Sequence, residues 1–445
     1  MDDAPVDSLA AARERDREDP LASFGERFHL PEELYMDGNS LGPISTDAER
    51  TLDRVVEEWR ERGIEGWTDA DPPWFGYAEH LGDRLAPLVG AHEDEVVVGN
   101  STTVNIHTLI GTFLDSEAAA SDSEAAASDS EAAASDSEAA PGAVLVNDLD
   151  FPTDHYAVRA QFRQRGLDPD EHLIAVESRD GRTIEEDDIE AALESHDVSI
   201  VFMPSVLYRS GQLLDVERIT RAAHDHDALA GFDLAHSVGV VPHDLSGLGV
   251  DFAVWCHYKY LNAGPGAVAG LYVNREHFGT PPALAGWWGH DKATQFEMRH
   301  EFTPADTAGA WQIGTPPLLA AAPLDGALDV VEDAGICAIR EKSLALTDVL
   351  VDVVDSLPEY AVGTPRGHER RGGHVAVEHP EGYRIVQALG DRGVVVDFRP
   401  PNVVRVCPSP LYTSFEDVWR VGEHLESVVA DREYERFDPR GDGVT

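Results

Sequence analysis

Lysine is scarce in this 445-residue chain: Lys259, Lys292 and Lys342 are the only three, against 31 arginines. Arginine carries the surface positive charge, so a lysine retained here invites a chemical explanation. Cysteine is almost as rare, and Cys256, Cys337 and Cys407 lie far apart. That spacing excludes a disulfide framework and a cysteine-built zinc site, leaving core or near-site thiols as the expectation. No apolar run approaches the roughly 18 residues of a membrane span. The opening MDDAPVDSLAAARERDRED lacks an apolar signal core, which leads us to expect a cytoplasmic protein. Basic charge is also short: 83 acidic residues face 34 basic ones, for a net charge of −49. Such a chain repels nucleic acid and anionic membrane. Together with the scarcity of lysine, the charge points to a high-salt cytoplasm such as that of a halophilic organism, where screening removes the self-repulsion.

The length accommodates one large and one smaller domain, and 42% hydrophobic residues is ordinary for a globular chain. Residues 1–45 read as a partly helical arm followed by the turn-rich YMDGNSLGP. Helices are predicted over 46–62 and 77–89, and a strand over 95–98 runs into GNSTTVNIHTLIGTF. Residues 116–140 repeat SDSEAAA; acidic, small and without large apolar side chains, they cannot build a core and are assigned no catalytic role. Strands and helices then alternate: AVLVN, HLIAVES, VSIVFMP, ALAGFDL, DFAVWCH and AVAGLYV are strand-like, with helices at 184–195 and 215–227 among them. This pattern predicts an α/β fold with a mostly parallel sheet covered on both faces. A long helical stretch over 318–357, short strands and a last helix over 414–432 predict a smaller α+β domain. The expected division is 46–320 for the large domain and 321–445 for the small one.

In parallel sheets ligands collect at the carboxyl ends of the strands, where Phe151, Asp154, Ser205, Asp233, His236 and Lys259 are expected. Lys259 sits among Ala253, Trp255, Tyr258 and Tyr260, a setting for a reactive amine or for a lysine that is only a surface cation. Ser101, Thr102 and Thr103 fall at a predicted helix N-terminus, which suits either a phosphate group or ordinary capping. Asp233 can serve a cationic partner or a turn, and His236 a ligand or the core.

YMDGNSLG, FPTDHY, GFDLAHSVG, DFAVWCHYKYLNAGPG, GWWGH and VVRVCPSPLYTSFEDV occur in this order between about residues 35 and 430. Together they resemble kynureninase, a family of pyridoxal-5′-phosphate (PLP) enzymes. The resemblance implies PLP fold type I, with a seven-stranded large domain and a smaller α+β C-terminal domain. It implies hydrolysis of L-kynurenine, or of 3-hydroxy-L-kynurenine, to an anthranilate and L-alanine, a step of tryptophan catabolism and NAD biosynthesis. PLP chemistry needs an amine for the cofactor's aldehyde carbon, an acid for its ring nitrogen, a platform for the ring and a cradle for the phosphate.

By resemblance, Lys259 is the amine, Asp233 the partner of the ring nitrogen, and His236 and Phe151 pack on the ring, with Asp154 at its phenolic edge. Thr102, Thr103, Tyr258 and Trp287 would hold the phosphate, with Thr315 contributed by a second subunit, which implies a homodimer with shared sites. Ser40, Trp67 and Trp288 would surround the substrate, and Arg405 would clamp its α-carboxylate. Tyr258 is a candidate acid/base beside Lys259. No metal is implied. An aminotransferase or a cysteine desulfurase of the same fold is the alternative, although Cys256, Cys337 and Cys407 sit in apolar segments rather than in the mobile Gly/Ser-rich loop a desulfurase needs. A non-catalytic binding protein is a further alternative.

Overall fold

The computed structural model describes residues 6, 8–114 and 142–438, so the 116–140 repeat lies outside the described residues. Strand β1 (Leu34–Tyr35) belongs to the N-terminal arm. The large sheet comprises β2 (Val96–Val98), β3 (Ala143–Asn147), β4 (Leu173–Val176), β5 (Val198–Pro204), β6 (Leu229–Asp233), β7 (Phe252–Cys256) and β8 (Ala269–Val273). Its order is β2-β8-β7-β6-β5-β3-β4. The run from β4 to β7 is parallel, and β8 is antiparallel to both of its neighbours. Every residue of β3, β5, β7 and β8 is buried. Their continuous apolar runs follow from being covered on both faces. After β3 the chain adds β4 outside it and then crosses to β5 on the opposite side. This reversal opens a crevice at the carboxyl ends of the strands, where ligands bind in such sheets.

The stretch expected to be helical over 318–357 is two helices, Leu318–Ala334 and Ile336–Asp355, broken at Gly335, whose φ of 77° suits glycine. The first packs on Thr46–Arg62 and contributes Ala321, Leu324 and Leu328 to the larger core. In the second helix, Ile339 still belongs to that core, whereas Ala345 and Leu346 belong to the smaller one. The cores therefore change hands later than the expected 320/321 boundary, because the first helix has its apolar partner in the large domain.

The smaller core lies under an antiparallel sheet of order β12-β13-β10-β9, formed by β9 (Ala361–Val362), β10 (Val375–Glu378), β12 (Asp397–Arg399) and β13 (Val403–Val406). The arm docks on this side. Strand β1 pairs in parallel with β11 (Val394–Val395). Asp16 accepts from the amides of Phe415 and Glu416 at the start of helix Phe415–Ala430. Lys342 forms a buried ion pair with Asp19 at 2.7 Å. Cys337 is exposed on its helix, which corrects the expectation of a core or near-site thiol there; Cys256 and Cys407 are buried.

Candidate active site

Each strand of the crevice delivers side chains from its carboxyl end. After β2, Asn100 takes a left-handed conformation (φ 54°) and turns the chain into a helix beginning at residue 102, with Thr102 and Thr103 in its first turn. The amides there have no intrahelical acceptor, and the helix dipole adds positive potential. Thr103 Oγ1 lies 3.0 Å from Thr153 Oγ1, which follows β3. Phe151 and Thr153 come from the β3 end, Tyr208 from beyond β5, Asp233 from the end of β6 and Lys259 from just past β7. All of these line one cavity of about 260 Å³, with Asn39, Ser40, Ala235, His236, Cys256, Tyr258, Arg399 and Arg405.

At its floor, Lys259 Nζ donates to His236 Nε2 at 2.8 Å. Burial, reinforced by the Lys259 charge, pushes the His236 imidazole well below its ordinary value, so the ring is neutral and can accept this bond. Asp233 Oδ1 accepts from the Ala235 amide at 2.7 Å. Burial raises the proton affinity of Asp233, and the nearby Lys259 opposes that rise. Asp154 is fully buried and its carboxyl is raised well above the ordinary range, first by burial and then by Asp233 and Asp150. Asp154 Oδ1 and His236 Nδ1 are buried with no hydrogen-bond partner in the protein. Buried polar atoms left this way call for a partner from outside the protein, an ordered water or a bound polar group. Burial and Cys256 raise the Tyr258 phenol, so it stays protonated.

The opposite wall is built by DGNSLG and the smaller domain. Gly42 N donates to the Tyr258 carbonyl at 2.8 Å. A Cβ at Gly42 would lie 2.5 Å from the Lys259 carbonyl and 2.0 Å from Asn262 Oδ1, so only glycine lets this loop reach the lysine segment. Arg405 is buried: its Nε donates to Asp397 Oδ1 at 2.9 Å, Nη1 to the Tyr208 carbonyl at 2.7 Å and Nη2 to Ser40 Oγ at 2.7 Å. Nη2 also bonds Asp397 Oδ2, which accepts from Arg399 Nη2 at 2.6 Å. Ser40 Oγ in turn donates to Asp397 Oδ2 at 2.9 Å.

Of the residues expected from the sequence, Ser40, Thr102, Thr103, Phe151, Asp233, His236, Tyr258, Lys259 and Arg405 meet at this cavity. Asp154 is buried beside it, close enough to Lys259 and Asp233 for mutual electrostatic influence. Trp67 and Trp288 do not line it; they pack together with ring centroids 5.6 Å apart, in a cluster with Trp74 and Phe75. Lys292 caps this cluster, its Nζ 4.3 Å from the Trp288 ring centroid. Trp287 and Thr315 are exposed and also lie outside the lining.

Sequence reasoning missed Asn39, Thr153, Tyr208, Arg399 and Asp397. A usable signal existed for two of them: Asp-x-Arg in a strand puts Asp397 and Arg399 on one face. The β12–β13 register then sets Asp397 opposite Arg405.

A family model for the kynureninase C-terminal domain matches residues 339–425. Over 434 residues the chain is 48% identical to the kynureninase of Geobacillus thermodenitrificans (strain NG80-2), covering 97% of this chain and 96% of that one. It is 46% identical over 437 residues to the kynureninase of Bacillus cereus (strain ZK / E33L), covering 97% of each. Among solved structures, an apo cysteine desulfurase from Thermococcus onnurineus NA1 aligns with a TM-score of 0.72 at 20% identity, over 94% of this chain and 98% of that one. A C-DES mutant with glycine covalently linked to its PLP cofactor aligns with a TM-score of 0.74 at 18% identity, over 90% and 98%. At these identities the structural likeness establishes the shared fold alone. The near-full-length identity to the Geobacillus and Bacillus proteins goes further: the chain belongs to the kynureninase family.

Proposed function

We propose that this protein is a PLP-dependent hydrolase that cleaves L-kynurenine, or its 3-hydroxy derivative, to an anthranilate and L-alanine. The observation that carries the reading is the convergence of Lys259, Asp233, His236 and Arg405 on one cavity in a chain of this family. The unpartnered Asp154 Oδ1 and His236 Nδ1 fit a polar heteroaromatic guest, and the helix start at Thr102 and Thr103 fits its phosphate.

In this reading Asp233 holds the ring nitrogen, Phe151 and His236 cover the ring, and Thr102, Thr103 and Tyr258 receive the phosphate. When bound, PLP supplies an electron sink for the carbon next to the substrate's amino nitrogen. Lys259 Nζ takes the proton from that α-carbon and gives one back to it before alanine leaves, and the neutral His236 steadies the amine without adding a competing charge. Arg405 holds the α-carboxylate. Tyr258, protonated at neutral pH, gives a proton to the substrate's β-carbon as the Cβ–Cγ bond breaks. Water adds at the γ-carbonyl, so its oxygen ends in the anthranilate carboxyl group and a proton ends on the alanine β-carbon.

The active unit is proposed to be a homodimer. Trp287 and Phe296, in edge contact at 5.8 Å, are exposed, as are Met298 and Leu319. Apolar surface of this kind suits a subunit interface. A second copy would bring Trp287 and Thr315 to the phosphate end of a shared site.

The test is product analysis with PLP-loaded protein and L-kynurenine in molar potassium chloride, with no keto-acid acceptor. Equimolar anthranilate and alanine are expected. Turnover only with an added keto acid would indicate a transaminase, and sulfide release from cysteine a desulfurase; either would overturn the reading.

A further inference from the structure

Arg405 does not offer a free fork to the cavity. A guanidinium has five N–H donors, and in Arg405 those of Nε and Nη2 and one of Nη1 are engaged by Asp397, Ser40 and the Tyr208 carbonyl. An arriving carboxylate would find the remaining Nη1 hydrogen and whatever Ser40 releases, too little for two-point recognition. A second guanidinium lies beside it. Arg399 lines the same cavity, its Nη2 bonds the same Asp397 oxygen, and its Nε is buried with no hydrogen-bond partner. Asp397, fully buried between the two, neutralises one positive charge and leaves the other. Asp37, next to this cluster, has its carboxyl pushed up to about 6 by burial and by Asp397, so it opposes a further anion less than an ordinary aspartate below that pH.

We infer that Arg399 and Arg405 form a two-arginine clamp for the substrate's α-carboxylate, with Asp397 holding the guanidinium groups side by side. Arg399 is then a substrate-binding, specificity-determining residue, and Asp397 a positioning residue. The inference rests on the proposed kynureninase function.

The experiment compares PLP-loaded wild type with Arg399→Gln and Arg399→Lys. Binding of L-alanine and of L-alaninamide, which lacks the carboxylate charge, is read from the absorbance of the bound cofactor, and KM and kcat are measured with L-kynurenine. Arg399→Gln is expected to weaken L-alanine binding and raise KM by about tenfold or more. The expectation for kcat is a change within about threefold. L-alaninamide binding and PLP retention should stay as in wild type, and Arg399→Lys should fall between the two. Unchanged alanine affinity in Arg399→Gln overturns the clamp. So does equal weakening of alanine and alaninamide, or loss of PLP, because each would make Arg399 a general support of the site. Alanine binding is read without turnover, so a wild type that binds alanine but does not cleave L-kynurenine would sink the reaction assignment separately.

Discussion

Asp397→Asn tests the electrostatic centre of the site. Asp397 is fully buried and accepts from Arg405 Nε, Arg405 Nη2, Arg399 Nη2 and Ser40 Oγ. Asparagine keeps one acceptor oxygen, while its amide donors would face guanidinium donors. Two cations would then share the region with only the Asp37 carboxylate, ionised above about pH 6, as a nearby counter-charge. Removing one partner from a buried ion pair costs about 3–5 kcal/mol. The remaining amide oxygen still satisfies part of the fork, so the lower end, about 3 kcal/mol, is expected. Molar salt should do little to rescue the variant, because buried pairs are poorly screened. The assay is urea unfolding of the cofactor-free protein in molar potassium chloride at pH 7, comparing midpoints and slopes. The double variant Asp397→Asn/Arg399→Gln should recover part of the loss, since one uncompensated cation is gone. A loss below about 1 kcal/mol, the range of an exposed pair, or a double variant weaker than additive expectation, would refute the description of Asp397 as the counter-charge of two arginines.

Lys259→Ala should abolish the absorbance of covalently bound PLP and lower kynurenine cleavage by at least about a thousandfold, with unfolding midpoints near those of wild type. Gly42→Ala places a methyl group 2.5 Å from the Lys259 carbonyl. It should cost about 1–3 kcal/mol of stability and reduce kcat, both read on the PLP-loaded protein. Asp37 should make stability pH-dependent. Because its folded value is raised to about 6, the native state keeps a proton that the unfolded chain releases from about pH 4 upward. This stabilisation is complete below about pH 4 and is lost as pH rises through 6. Asp37→Asn should therefore gain stability over wild type at pH 8 and little at pH 4, as measured by urea midpoints at both.

What could be read from residues alone was what short range controls. The helices at Thr46–Arg62 and Tyr77–Val89 and the strands Ala143–Asn147 and Val198–Pro204 lie where periodicity and apolar runs put them, because burial of one face or of both imposes those patterns locally. Asp233 and Lys259 stood out because a strand-end carboxylate and a rare lysine are visible without a partner in view. Gly335 was less legible: a single positive-φ residue splits a stretch whose composition is helical throughout. Arg399 and Asp397 were harder still: their Asp-x-Arg spacing is local, but in a chain with 31 arginines nothing local shows that this pair faces Arg405.

Tertiary structure decided the rest. The β12–β13 register sets Asp397 against Arg405, and the docking of residues 39–42 brings Ser40 to the same cluster and Gly42 to the Tyr258 carbonyl. Motif order carried the resemblance to the family that the near-full-length identity shows, and it singled out Asp233 and Lys259. The arrangement of this cluster depends on which buried charge sits between which two arginines, and only the packing of segments more than 300 residues apart, Ser40 against Arg405, settles that.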